Sequence, residues 1–419
     1  MSVLDDIQKS FIKKESIYGP DNYKPLPVVL SKAKGVWVWD ISEKKYLDMM
    51  SGYSAVSHGH AHPVLLKTFH DQSSRLSLTS RAFYTDTLGP YLETITQMTG
   101  FEMALPMNSG AEAVETAIKS SRRWAYRTKK VEENKAEIIV AEGNFHGRTT
   151  TIISFSTDEN SRKDFGPHTP GFVAVEYGSS KAIEDAITPN TAAVIIEPIQ
   201  GEGGIIVPPD NYLNEVRAIC TKHNVLMILD EIQSGLGRTG KLFAYQHSCG
   251  QCSCGKNLCE VQPDGLILGK ALGGGFMPVS VFLSSEEVLG WMDPGSHGST
   301  FGGNPLASAL AKRSLELLYE ENLIENSRVM GDYFKEQLTV LDSELIVEIR
   351  GMGLWLGVEI DQKYISGNEL SKTLLEAGIL CKETHENTIR FAPPLVVTKE
   401  ELDWGIEKIA KVFSEVTKS

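Results

Sequence analysis

The sequence has no long apolar run, no basic excess and no leader-like start. No stretch of its 419 residues approaches the roughly 18 uninterrupted apolar residues that a membrane-spanning helix needs. Acidic residues outnumber basic ones by 54 to 41 for a formal net charge of −13, which argues against a nucleic-acid or anionic-membrane surface. The first residues, Met1-Ser-Val-Leu-Asp-Asp, lack a basic segment followed by an apolar one, so we expect a cytoplasmic protein.

What the chain does contain, from about residue 105 to 300, is an alternation of short apolar strands and amphipathic helices. Strands are predicted at 137–141, 191–197, 225–230, 264–268 and 279–283, with a connecting helix at 209–223. This order is typical of an α/β domain with a doubly wound, mostly parallel sheet.

The remaining segments predict a smaller second domain. After about residue 305 the pattern is helical and then mixed, which favours a smaller α+β domain formed by the C-terminus together with the N-terminal segment. We therefore expect three parts, namely an N-terminal segment (1–50), a large ligand-binding domain (51–305) with a cysteine-rich insertion at 247–260, and a small C-terminal domain (306–419).

Two apolar runs each end in an ionisable residue. One run, 225–233, delivers Asp230, and the other, 266–275, delivers Lys270 before a glycine string. In open parallel sheets, ligands bind at the carboxyl ends of the strands. A lysine there with a neighbouring carboxylate suits pyridoxal phosphate, because the amine forms a Schiff base and the acid holds the pyridine nitrogen protonated. The alternative is that both are ordinary solvated loop residues.

Further segments predict binding groups around the same edge. Ser109 and Glu112 have the spacing of a capping box, which would leave the amides of Gly110 and Ala111 free to bind a phosphate. An ordinary capped helix is the alternative.

Two loops carry candidate cofactor and substrate contacts. Phe145 could stack on a flat cofactor, and Arg148 could bind a carboxylate, although each residue taken separately is more often structural, as a core phenylalanine and a surface arginine. Glu202 lies on a glycine-rich turn, and the hydroxyl-rich loop 297–305 suits phosphate contact; plain turns are the alternative.

Five motifs occur in order, at 108–112, 145–149, 230–239, 269–274 and 298–305. They resemble the class III, fold type I pyridoxal-phosphate-dependent aminotransferases, and the resemblance covers essentially the whole chain. It implies that Lys270 forms the Schiff base and moves the proton, that Asp230 pairs with the pyridinium nitrogen and that Gln233 contacts the phenolic oxygen.

The resemblance also assigns the rest of the cofactor site. It implies that Phe145 stacks on the ring and that Gly110 and Ala111 hold the phosphate. Thr300 of a neighbouring subunit would help them, which makes a homodimer the smallest working unit.

Segments 22–28, 51–63, 81–84 and 388–394 resemble the ornithine-specific branch of this family. That branch transfers the δ-amine of ornithine to 2-oxoglutarate, giving glutamate and a semialdehyde that cyclises to pyrroline-5-carboxylate. The resemblance implies substrate contacts at five positions: Tyr23, Tyr53, Arg148, Glu202 and Arg390.

The branch must accept two different substrates at one site. Arg148 and Tyr23 would hold the distal end of ornithine, whereas Arg390 would bind the carboxylate of glutamate or 2-oxoglutarate. Glu202 would neutralise Arg390 while ornithine is bound.

Two other functions stay open from the sequence. The donor could be acetylornithine, lysine or 4-aminobutyrate within the same family. A metal- or redox-sensing protein on an inactive scaffold is a different class, against which the intact Lys270 and Asp230 count.

Two departures from the family pattern are visible. His146 stands where many of the ornithine-specific enzymes have a larger aromatic residue, which we expect to affect packing at the ring edge. A cysteine-rich insertion carries the other departure, with thiols at Cys249, Cys252, Cys254 and Cys259. The cluster predicts a structural tetrahedral zinc site; a redox-labile thiol cluster, disulfides and an iron–sulfur cluster are the alternatives.

Overall fold

The structure, a computed structural model, describes residues 6–249, 260–341 and 343–418. Its helices are α1 (Asp6–Tyr18), α2 (Ser51–Ser54), α3 (Pro63–Arg75), α4 (Leu88–Thr99), α5 (Gly110–Trp124), α6 (Glu159–Arg162), α7 (Ser180–Ala186), α8 (Tyr212–His223), α9 (Glu286–Leu289), α10 (Pro305–Glu320), α11 (Leu323–Val340), α12 (Gly367–Glu376) and α13 (Lys399–Val416). Its strands are β1 (Leu30–Lys34), β2 (Trp37–Asp40), β3 (Lys45–Asp48), β4 (Met103–Met107), β5 (Glu137–Ala141), β6 (Phe172–Val175), β7 (Thr191–Ile196), β8 (Leu226–Asp230), β9 (Gly265–Leu268), β10 (Ser280–Ser284), β11 (Ile346–Met352), β12 (Trp355–Ile360), β13 (Ile379–Leu380), β14 (Lys382–Thr384) and β15 (Thr388–Phe391).

A seven-stranded sheet forms the centre of the molecule, in the order β4-β10-β9-β8-β7-β5-β6. Neighbours from β9 to β6 pair in parallel, whereas β10 is antiparallel to both β9 and β4. The carboxyl ends of β4, β5, β7, β8 and β9 therefore point to one edge of the sheet. The predicted mostly parallel α/β sheet is confirmed.

Continuous apolar strands form this sheet because both of its faces are covered. In β8, Met227 and Leu229 belong to the hydrophobic cluster on one face, and Leu226 and Ile228 to the cluster on the other. A strand enclosed in this way holds its last residue, Asp230, in a fixed position at the sheet edge.

Two four-stranded sheets lie outside the central one. The antiparallel sheet β11-β12-β15-β14 is built from the C-terminal part of the chain. The sheet β1-β2-β3-β13 joins the two ends of the sequence, because Ile379 of β13 pairs with Leu47 of β3.

Most predicted elements are present with small shifts at their ends. The strands predicted at 191–197 and 225–230 are β7 and β8, and the helix predicted at 209–223 is α8. Strands β1, β4 and β6 were not predicted; β4 and β6 are the two edges of the central sheet. None of the helices within the described ranges has the length and apolar character that crossing a membrane requires.

Candidate active site

The loops at the carboxyl edge of the central sheet surround a cavity of about 190 Å³. It brings together six residues that the sequence predicts to hold the cofactor: Gly110, Ala111, Phe145, Asp230, Gln233 and Lys270. It is also lined by His146, which was expected at the ring edge, and by Glu197, for which the sequence predicted no role. The predicted convergence of these loops is therefore observed in the structure.

Lys270 begins a short 3-10 helix that follows β9. Its backbone has a φ of +46°, in the left-handed region that a lysine rarely adopts, and such strain costs about 1–3 kcal/mol. Burial lowers the pKa of the Lys270 amine to about 8, although the negative charge of Glu202 opposes this shift. A larger share of neutral amine is available near neutral pH than for an exposed lysine, which suits a nucleophile and proton carrier.

Asp230 is held in the cavity by two hydrogen bonds. Its Oδ2 atom lies 2.7 Å from Nδ1 of His146, and its Oδ1 atom accepts from the amide of Ile232 at 3.0 Å. Burial opposes a charge on His146, but the hydrogen bond and negative charge of Asp230 outweigh it and raise the pKa of the imidazole. His146 thus contacts the carboxylate directly, a role beyond the ring-edge packing expected from the sequence.

The N-terminus of α5 has the capped geometry that the sequence predicts. Ser109 Oγ accepts from the amide of Glu112 at 3.2 Å, and Glu112 Oε2 accepts from the amide of Ser109 at 2.7 Å, so the predicted capping box is confirmed. A Cβ atom at Gly110 would lie 2.8 Å from Ile232 Cδ1, so a larger residue there would require the end of the Ile232 side chain to shift. First-turn amides have no partner within the helix, so those of Gly110 and Ala111 are available to a phosphate.

Glu202 and Arg390 form an ion pair close to the cavity. Arg390 Nη1 donates to Glu202 Oε1 at 2.6 Å, and the Arg390 guanidinium lies 4.8 Å from the centre of the Tyr53 ring. Burial would raise the pKa of Glu202, but the charge and hydrogen bond of Arg390 outweigh it and lower that pKa; Lys270 and Arg148 act in the same direction. The structure therefore brings the predicted pair into contact.

The other predicted substrate contacts are more exposed. Arg148 lies with its guanidinium carbon 5.4 Å from the centre of the Phe145 ring, and Tyr23 is 77% exposed on the segment after α1. Burial raises the pKa of the Tyr53 phenol against the opposing charge of Arg390, and Tyr23 is close enough to add to the rise. Arg148 is thus near Glu202, and Tyr23 is near Tyr53, on the side of the ion pair.

Glu197 directly follows β7 and is 6% exposed. Its Oε1 atom accepts from the amide of Phe145 and its Oε2 atom from the amide of Gly201, both at 3.0 Å. Burial raises its pKa to about 7, and the charge of Asp230 adds to that shift, whereas His146 and the two amides oppose it. The sequence signal was a polar residue immediately after a buried strand, but nothing local indicated what it would bind.

Thr300 does not line this cavity in its own chain and is exposed. Its loop packs on α5, where His297 Nε2 lies 2.8 Å from Thr116 Oγ1 and Asn108 Nδ2 donates to Ser299 Oγ at 2.8 Å. The predicted contact of Thr300 with the cofactor of a neighbouring subunit stays a prediction.

The predicted metal site falls largely outside the described residues. Cys249 is buried, whereas Cys252, Cys254 and Cys259 lie in the segment from 250 to 259, which the structure does not describe. In the parts of the chain that are described, no group of three or more histidine, cysteine or acidic side chains is arranged to hold a metal ion. The zinc site therefore remains a prediction.

The cavity fits pyridoxal phosphate in its chemistry. It offers helix-terminal amides at Gly110 and Ala111 for the phosphate, a buried carboxylate at Asp230 for the ring nitrogen and an amine of lowered pKa at Lys270 for the aldehyde. The Phe145 residue is 38% exposed and lines the cavity, and an aromatic ring there suits the face of a planar cofactor.

Comparison with known proteins agrees with this chemistry. Residues 18–413 match the family described as aminotransferase class-III. The ornithine aminotransferase of Brevibacillus brevis is 52% identical over 402 residues, which are 96% of this chain and 97% of that protein.

Solved structures show the same likeness. An ornithine aminotransferase from Toxoplasma gondii matches with a TM-score of 0.94 at 42% identity, covering 98% of this chain and 96% of that one. An acetylornithine aminotransferase from Elizabethkingia anophelis matches with a TM-score of 0.86 at 43% identity, covering 97% of this chain and 99% of that one.

Proposed function

This chain belongs to the class-III aminotransferases, which use pyridoxal phosphate, and from that premise we propose that it is an ornithine δ-aminotransferase. The proposed reaction transfers the δ-amino group of L-ornithine to 2-oxoglutarate in two half-reactions. Its products are glutamate and glutamate 5-semialdehyde, which cyclises to pyrroline-5-carboxylate. The observation that carries the proposal is the Glu202–Arg390 ion pair beside Tyr53, because it can present either a neutral or a cationic surface to a substrate.

When bound, pyridoxal phosphate supplies an electron sink and carries the amino group from one substrate to the other. Lys270 Nζ, with its lowered pKa, takes the proton from the reacting substrate carbon and returns one in the reverse direction. Asp230, fixed by His146 and the Ile232 amide, orients the ring through its nitrogen. Gln233 would contact the phenolic oxygen, and Phe145 would cover one face.

The substrates place opposite demands on Arg390. Ornithine brings its amine to the cofactor, so a free cation beside that amine would repel it; the bond from Arg390 to Glu202 removes this repulsion. Glutamate and 2-oxoglutarate bring a carboxylate, which needs Arg390 released from Glu202. Arg148, near Glu202, and Tyr23, near Tyr53, would hold the far end of ornithine.

A homodimer is the proposed working unit. Thr300 would complete the phosphate site of a second copy, and large apolar side chains are exposed on the same chain at Phe83, Tyr84 and Phe301, with 70%, 105% and 52% exposure. Burying them against a second copy would remove apolar surface from water. Sedimentation of the holoenzyme tests this proposal; a monomer with full activity would overturn it.

The three-part division at residues 50 and 305 is likewise proposed, and the sheet that pairs β3 with β13 supports placing the N-terminal segment with the C-terminal part. A cytoplasmic location stays a prediction. So does structural zinc at the four cysteines, for which metal analysis of protein purified without added zinc is the test.

The deciding experiment is a transamination assay with ornithine and 2-oxoglutarate that traps the cyclised product. Acetylornithine is the second donor to test, because the match to the Elizabethkingia anophelis enzyme is as strong in identity as that to the Toxoplasma gondii one. We expect product from ornithine and none from K270A. Turnover of acetylornithine without turnover of ornithine would overturn the proposed substrate and leave the aminotransferase chemistry intact.

A further inference from the structure

We propose that Glu197 is a specificity-determining positioning residue, whose carboxylate ties the Phe145 loop to the Glu202 turn and thereby sets the strength of the Glu202–Arg390 pair. The identity of the two competing substrates rests on the function proposed above. The structural coupling between the two loops does not.

Both oxygens of Glu197 are used, and each binds a different loop. Oε1 accepts from the amide of Phe145 in the loop after β5, and Oε2 accepts from the amide of Gly201 in the turn after β7. A carboxylate accepts through both oxygens, whereas an amide or a protonated carboxyl has only one oxygen without hydrogens. The ionised side chain therefore binds both amides most strongly, since a hydroxyl oxygen is a weaker acceptor and an amide NH2 group accepts nothing.

The Gly201 amide is one residue before Glu202, so its bond acts directly on the ion pair. The turn is held at other points as well: Thr384 Oγ1 donates to the carbonyl of Glu202 at 2.6 Å, and the amide of Gly204 donates to the carbonyl of Gly201 at 3.2 Å. A Cβ atom at position 201 would overlap Gln233 Oε1, so the turn lies tightly against the cavity wall. Losing the Glu197 bond frees the end of the turn that leads into Glu202.

The protonation state of Glu197 responds to its surroundings. The titratable groups that face it are His146, Asp230, Lys270 and Tyr177. Burial, with Asp230, raises the pKa of Glu197 to about 7 against the opposing effect of His146. The carboxylate form that holds both loops is therefore gained as pH rises through neutrality and lost as pH falls.

Glu231 provides a matched control in the same sheet edge. It too is buried, its pKa is raised to about 7 by burial, and its oxygens accept from the amides of Ala244 and Tyr245 at 2.8 Å. Unlike Glu197, it does not line the cavity and does not contact the Glu202 turn.

The experiment compares wild-type, E197Q and E231Q holoenzymes by stopped-flow absorbance of the two half-reactions, with ornithine and with glutamate. At pH 8 we expect the ornithine-to-glutamate rate ratio to fall at least about fivefold in E197Q and to stay within about twofold in E231Q. At pH 6 the wild-type ratio should approach that of E197Q, because the wild-type carboxyl is then mostly protonated. Equal slowing of both half-reactions in E197Q, or the same ratio change in E231Q, would overturn the proposal.

Amide hydrogen exchange of the same holoenzymes tests the coupling without any substrate. At pH 8, E197Q should exchange at least about threefold faster than wild type in peptides that contain Phe145 and in peptides that contain Gly201, whereas E231Q should not. Unchanged protection at Gly201 would refute the coupling. If wild type fails to convert ornithine, the proposed function fails, and the exchange result still decides the role of Glu197.

Discussion

Replacing Glu202 by alanine should separate the two half-reactions. The variant leaves the Arg390 guanidinium, which is 5% exposed, without its 2.6 Å carboxylate partner and beside the arriving amine of ornithine. A hydrogen bond between charged groups contributes about 1.5–3 kcal/mol when enclosed. Because the Glu202 side chain is 28% exposed, solvent screening favours the lower end, about 1.5–2 kcal/mol.

At 1.36 kcal/mol per factor of ten, that loss corresponds to roughly a 10- to 30-fold fall in kcat/KM for ornithine. The kcat/KM for glutamate should rise or stay unchanged, because the glutamate carboxylate no longer competes with Glu202 for Arg390. Single-turnover spectra with each amino acid measure both values, and E202Q, which keeps the shape of the side chain, should reproduce the direction. The matched control is E325A, which removes the exposed pair of Glu325 with Arg328, does not touch the lining of the cavity around Lys270, and should change neither rate by more than about twofold. A fall of equal size for both substrates would refute the reasoning.

Three further variants test other contacts. H146F removes the donor to Asp230 and should weaken cofactor binding by roughly 10- to 100-fold in a spectroscopic titration. H146N, whose amide can donate from a similar position, should recover part of that loss. Equal cofactor affinity in wild type and both variants would contradict the contact. G201A places a methyl group against Gln233 and should lower the free energy of unfolding by about 1–3 kcal/mol in denaturant titrations; an unchanged midpoint would show that the turn can move. Because the pKa of Glu231 is raised to about 7, the folded state keeps a proton that the unfolded chain loses near pH 4.5. The protonated Glu231 therefore adds its full contribution to the free energy of unfolding below about pH 4.5, and this contribution disappears as pH rises to about 7. Wild type should therefore lose up to about 3 kcal/mol relative to E231Q across that interval, and parallel pH profiles would contradict the shift.

The sequence predicted the elements whose pattern is strong and local. Strand β5 has the predicted bounds, because a run of buried apolar residues defines it. Strands β4 and β6 were missed for different reasons. β4 contains Pro106, which demotes a run as a strand candidate and is tolerated here at a sheet edge, and β6 is a four-residue edge strand with too few residues to show a period.

In the candidate site, too, the sequence predicted which residues stand at strand ends and did not predict the contacts between separate loops. Asp230 and Lys270 could be predicted because Asp230 ends β8 and Lys270 follows the end of β9 by two residues, and parallel strands deliver their ends to one edge. The contacts of His146 with Asp230 and of Glu197 with Gly201 could not, since they join side chains and amides from separate loops whose approach depends on the folded sheet. The sequence can predict that a polar residue lies at the end of a strand, but it cannot predict which group that side chain will hydrogen-bond.

The pairing of β8 with β9 has a consequence for how the protein is made. Asp230 meets Ile267 across that pair, and Lys270 follows only two residues beyond the end of β9, so the acid and the amine become neighbours only once two distant stretches of chain have joined. Such non-local pairing is slow compared with helix formation. A nascent or partly unfolded chain therefore lacks the reactive pair, and competence to capture the cofactor reports that the centre of the sheet has been assembled.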